Sequence, residues 1–147
     1  MISLFRVSPH ETIMLDDNAA GFESYREFLW GSDAMSSRGM TFFPQLRDGD
    51  IYVAPDELEA FRLECLRVIE HSDSIADELW PEDPQAKDWF YLDSWMRHLK
   101  EWFFPATKVA RIAEVKKWGG NHIRTYMHRF LDALDRAEEE GLGVNIG

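Results

Sequence analysis

The feature that most restricts the fold of this chain is a long amphipathic run that opens at Pro55 and closes at Leu79. Proline suits a first helical position, where its missing N–H would have no partner anyway, and Asp56 and Glu57 complement the positive end of the helix dipole. At about 100° per residue, Leu58, Phe61, Cys65, Val68, Ile69, Ser72, Ala76 and Leu79 fall on one stripe, which faces the core. The opposite side carries Asp56, Glu59, Leu63, Arg67, Glu70, Asp77 and Glu78. His71-Ser72-Asp73-Ser74 leaves two outcomes open, an unbroken helix or a break, because Ser and Asp side chains compete for backbone hydrogen bonds. Trp80-Pro81-Glu82-Asp83-Pro84 then acts as a stiff two-proline connector.

Four more helices follow from the same periodicity. One runs from Asp17 or Asn18 to Trp30, with Phe22, Tyr25 and Leu29 on a face and Gly31 as a left-handed stop. A second spans 85–104 and groups Leu92, Trp95, Leu99, Trp102 and Phe103, with Pro105 ending or kinking it. A third covers 106–118 and closes at Gly119-Gly120; a fourth begins at Asn121 and carries Ile123, Tyr126, Met127, Phe130, Leu131, Leu134 and Ala137 up to Glu140, where Gly141 stops it. Strand signals lie at 2–7, at 40–43 and 51–53 joined as a hairpin through Asp48-Gly49, and at 142–146. These elements predict an α+β fold, mostly α: about five helices packed on a small sheet made from the N-terminal strand, the 40–53 hairpin and a candidate C-terminal strand.

With 147 residues and 45% hydrophobic content, one domain over 1–147 is expected. MISLFRVSP holds no secretory apolar run, and no stretch approaches the ~20 apolar residues of a membrane span, so a cytoplasmic protein is expected. Cys65 is the single cysteine; it lies on the core stripe and reads as a small buried hydrophobe rather than a nucleophile. The net charge of −11 repels phosphate backbones and favours a basic protein partner over nucleic acid. Acidity concentrates in 55–83, which holds two basic and ten acidic residues, a net −8.

No metal, cofactor or catalytic site is expected from the residue spacings. His10, His71, His98, His122 and His128 form no i,i+4 pair, and His122 and His128 point about 120° apart on one helix. Glu70-His71-Ser72-Asp73 contains a base, a hydroxyl and an acid, but neighbours on a helix diverge and cannot assemble a triad. No glycine pattern of the phosphate-cradling kind is present. Trp95 and Trp102 fit a core stripe, whereas Trp89, Phe90 and Phe104 fall off it and are candidates for exposure.

The sharpest functional signal is therefore an acidic surface, to which Asp56, Glu59, Leu63, Glu70, Asp77, Glu78, Glu82 and Asp83 are assigned as partner-binding residues, Leu63 being the apolar anchor inside a charged rim. In whole-chain character, and in the tracts DGDIYVAPDELEAFRLECLRVIEHSD and RFLDALDRAEEEGLGVNIG, the chain resembles the immunity proteins of bacterial polymorphic toxin systems. That resemblance implies a stoichiometric inhibitor whose acidic face covers a basic toxin, often a nuclease. Two other classes stay open: a small enzyme or ligand-binding domain whose site assembles only in three dimensions, with His98 or His122 near a carboxylate in an aromatic pocket, and a homo-oligomeric scaffold built on spare aromatics.

Overall fold

The computed structural model describes residues 2–5, 12–16, 25–79 and 102–147. It is mostly helical with a small antiparallel sheet. Strands β1 (Ile2–Phe5), β2 (Thr12–Asp16), β3 (Ile51–Val53) and β4 (Gly143–Ile146) lie in the order β2-β1-β4-β3. The C-terminal strand is thus interior, pairing Ile146 with both Ile2 and Ile51, and Val144 with Leu4 and Val53. All four of its residues are buried. Among the described residues there are three α-helices, not five: the single turn α1 (Asp33–Ser36), α2 (Leu58–Leu79) and α3 (Pro105–Glu140).

The core stripe of α2 is as its sequence dictates. Leu58, Phe61, Cys65, Val68, Ser72 and Ala76 are buried, and the helix continues unbroken through His71–Ser74 because Ser72 is answered across the helix pair by Arg124, whose Nη1 donates to its Oγ at 2.6 Å. α2 starts from a 3-10 turn, Pro55–Glu57, where the Ala54 N–H donates to the Glu57 carboxylate at 3.1 Å. α3 packs along α2 with Ile123, Met127, Phe130, Leu134 and Ala137 inward. It ends as expected at Gly141, whose φ of +66° allows Leu142 N–H to reach the Ala137 carbonyl at 2.8 Å, closing the last turn. Trp30, Phe43, Phe61 and Phe130 meet at the centre with ring centroids 5.3–6.2 Å apart.

Several sequence expectations are corrected. The 40–53 hairpin does not form; Phe43–Arg47 is a 3-10 turn, and Ile51–Val53 pairs with β4 instead. The amides that a strand at 41–43 would need for its ladder are taken by a side chain: Glu64, 5% exposed, accepts hydrogen bonds from Thr41 N, Phe42 N and Phe43 N at 2.7–2.9 Å. The composition of GSDAMSSRG, 31–39, reads as a loop, but this segment contains α1, and the helical run before it ends as a π-helical turn, Arg26–Trp30; its first part, 17–24, lies outside the described residues, as does 85–101 of the expected helix over 85–104. Trp102 and Phe103, expected on a core stripe, are exposed like Phe104, and so is the start of α3, whose first buried described side chain is Val115.

Gly31 does end its helical turn, but not in a left-handed conformation, and both it and Gly120 are sites of close approach. Gly31 has φ −84°, so it needs no left-handed freedom, but a Cβ there would sit 2.5 Å from Arg47 Cβ and 2.7 Å from the Arg26 carbonyl. Gly119-Gly120 is not a break; α3 runs through it, and a Cβ at 120 would overlap the Asp73 carboxylate of α2. The two positions should respond differently. Gly31→Ala forces backbone and Cβ atoms apart and is expected to cost about 2 kcal/mol. Gly120→Ala displaces only an exposed carboxylate and gains helix propensity, so it should stay within about 1 kcal/mol of wild type. Urea unfolding of both variants checks this.

Candidate functional site

The residues of α2 that face away from the core follow the spacing 59, 63, 66, 70, 73, 77, alternating four and three. This places Glu59, Leu63, Leu66, Glu70, Asp73 and Asp77 in one line along the helix. Leu63 and Leu66 are 53% and 47% exposed, and Glu59 and Glu70 are exposed on either side of them. Asp56 lies one turn earlier in the 3-10 turn and is also exposed.

Beside this line, the charges are already partly committed. Arg62 donates to Asp135 and Glu138 on α3 at 2.5 and 2.9 Å, and lies 3.6 Å from Glu59. The hydrogen bond to Asp135 pushes the Arg62 guanidinium further toward its charged form, outweighing the opposing effect of burial. Arg62 is held by its two closer carboxylates on α3, and Glu59, 73% exposed, stays open to solvent beside it. Arg67, on the other flank, donates to the Gly39 carbonyl at 3.3 Å.

Of the residues assigned from sequence, the structure brings Asp56, Glu59, Leu63 and Glu70 to one patch. Asp77 is turned toward Lys116 at 3.9 Å, and Glu78 sits off the line, paired with Arg38 at 2.8 Å. Glu82 and Asp83 lie outside the described residues. Leu66 was missed, although its position three residues after Leu63 and seven after Glu59 carried the signal. No protein-family model matches this chain. No curated protein and no solved structure matches it significantly either.

An open cleft of about 480 Å³ lies where α2 and α3 cross, lined by Asp73, Asp77, Ala113, Lys116, Lys117, Asn121 and Arg124. Asp73 accepts from Arg124 at 2.8 Å, Asn121 accepts from the same guanidinium at 2.6 Å, and Asp77 lies 3.9 Å from Lys116, so both cleft carboxylates already face a cation. The aromatic pocket expected around a catalytic histidine is a packed cluster instead. His122 stacks on Trp118 at 4.4 Å, meets the edges of Tyr25 and Tyr126, and shares a 3.2 Å hydrogen bond between Nε2 and Tyr25 Oη. His128 is exposed, and His10 and His98 lie outside the described residues. Cys65 is buried, and desolvation pushes its thiol far up, which keeps it unreactive. Among the described residues no group of three His, Cys, Asp or Glu side chains is placed to hold a metal, and no helix is long and apolar enough to cross a membrane.

Burial, with Arg129 adding to it, lowers the His122 pKa below its ordinary value, while burial raises Tyr25 to about 12. The unfolded chain therefore takes up a proton at position 122 first. The His122 contribution to stability is complete above the ordinary histidine pKa of ~6.5 and is lost as pH falls below it toward the depressed folded value. Unfolding free energy measured from pH 8 to 5 should fall less steeply in His122→Phe than in wild type below ~6.5. Identical slopes would show that His122 is not buried as described.

Proposed function

We propose that this chain is a binding protein that holds a basic protein partner against the outward face of α2, acting as an immunity-type stoichiometric inhibitor of a toxin. The observation that carries this reading is the pair Leu63 and Leu66, both about half exposed and bracketed by Glu59 and Glu70. An apolar centre releases water on contact, and an acidic rim steers a cationic surface toward it and fixes its register. Asp56 extends the rim at one end. The net charge of −11 adds a long-range field of the same sign, which accelerates encounter with a basic protein and disfavours nucleic acid. A cationic nuclease is the kind of toxin that such a field suits. Glu78 contributes to the field rather than to the contact, since it is off the line and paired with Arg38 at 2.8 Å, and Asp77 lies two turns beyond Glu70's end of the apolar pair, beside Lys116 of α3.

The triple variant Glu59→Lys/Leu63→Asp/Glu70→Lys tests the reading, because all three side chains are exposed and the fold should survive. Affinity capture from the native cell, quantified at one-to-one stoichiometry, should recover a basic protein with wild type and lose it at least tenfold with the variant. Equal recovery by a variant whose circular dichroism matches wild type would remove this face from the interface. A toxin gene immediately upstream in the genome would support the inhibitor reading.

A further inference from the structure

We infer that the partner meets α2 through an α-helix of its own, whose docking stripe carries two apolar side chains three or four residues apart with one Lys or Arg a turn beyond each. This rests on the reading that the outward face of α2 binds a basic protein, and adds the shape of what binds. The line Glu59, Leu63, Leu66, Glu70 repeats at alternate four- and three-residue steps, the spacing that keeps a stripe facing a second helix crossing at a shallow angle. Leu63 and Leu66, each about half exposed, supply the apolar side chains that can seat in the grooves of a second helix. From Glu59 to Glu70 the rise is roughly 16 Å, or about three turns, which matches two cations flanking an apolar pair on a partner helix.

Other occupants fit less well. α2 presents no strand edge, its backbone groups being bonded within the helix, so an extended segment gains no main-chain hydrogen bonds there. A second copy of this chain pairing antiparallel through the same face would set Glu59 against Glu70 of its neighbour twice, which is repulsive. A partner helix with Lys or Arg at those places converts both contacts into attraction.

The experiment titrates the full-length, 15N-labelled protein with three synthetic 18-residue peptides. The first is an alanine-rich helix with Leu at two positions three apart and Lys four residues before and four after the pair. The second replaces the two Lys by Glu. The third keeps the leucines and lysines of the first but replaces one alanine between the leucines by Pro. Saturable binding of the first peptide, with shifts centred on 59–70 and affinity at least tenfold above the other two, is the expected result, and Leu66→Asp should weaken it at least tenfold. Equal binding of the proline peptide overturns the helix inference while leaving a basic partner in place. Equal binding of the Glu peptide instead sinks the basic-partner reading beneath it. Shifts elsewhere, no saturable binding at millimolar peptide, or a dimer by light scattering that Leu66→Asp dissociates, each overturns the inference.

Discussion

Replacing Glu64 by alanine is expected to lower the unfolding free energy by about 3 kcal/mol, equivalent to a loss of roughly 10 °C in melting temperature. Two oxygens of this buried side chain collect the N–H groups of Thr41, Phe42 and Phe43 and the Thr41 hydroxyl, at 2.7–3.1 Å. Without them the chain must leave buried donors unanswered or open the segment to water, and an unsatisfied buried group costs about 1–3 kcal/mol. Glu64→Gln should recover less than half of the loss, because one of its two terminal atoms becomes a donor facing donors. Thermal unfolding gives the magnitude. Amide exchange gives the location, with protection lost first at residues 41–43. A loss below about 1 kcal/mol would mean that these bonds are no better than those to water.

Phe130→Ala should cost about 3–5 kcal/mol, the usual range for removing a fully buried phenylalanine. Its ring lies 5.5 Å from Phe43, 6.0 Å from Trp30 and 6.2 Å from Phe61, and so joins α3 to α2 and to both turns that precede it. The cavity left behind has walls from four separate segments, which cannot collapse together without shifting the sheet side of the core. Phe43 belongs to this cluster and is also positioned by Glu64, so the two lesions share a partner. The double variant Glu64→Ala/Phe130→Ala should therefore lose less than the sum of the singles, by at least about 0.5 kcal/mol. Strict additivity in chemical denaturation would show that the 41–47 segment and the aromatic cluster are independent.

What could be read from sequence was what depends on local periodicity. Leu58, Phe61, Cys65 and Val68 on α2, and Ile123, Phe130 and Leu134 on α3, are buried where helical spacing puts them. The stop at Gly141 was legible because it depends on residues within one turn, and the final strand because a β-prone run follows that stop; that this strand is interior, paired with both β1 and β3, was not. Glu64 was not legible, since a glutamate beside a core stripe reads as solvated until the loop amides it answers are known. The same missing knowledge made residues 40–43 look like a strand. Gly119-Gly120 looked like a stop because propensity is local, whereas the close passage of α2 that fits it is not. On the candidate site, Leu63 between Glu59 and Glu70 was visible in the pattern. The commitment of Asp77 to Lys116 and of Glu78 to Arg38 was invisible, because those cations come from distant parts of the chain.

The measurement that decides most directly whether the outward face of α2 binds a basic protein is the association rate of the captured partner as a function of salt, for wild type and for Glu59→Lys/Glu70→Lys. A cationic partner steered to this face should associate rapidly with wild type at low ionic strength, slow at least tenfold between about 20 and 500 mM salt, and show a slower, nearly salt-independent rate with the variant. Matching rates and matching salt slopes for the two proteins would contradict it.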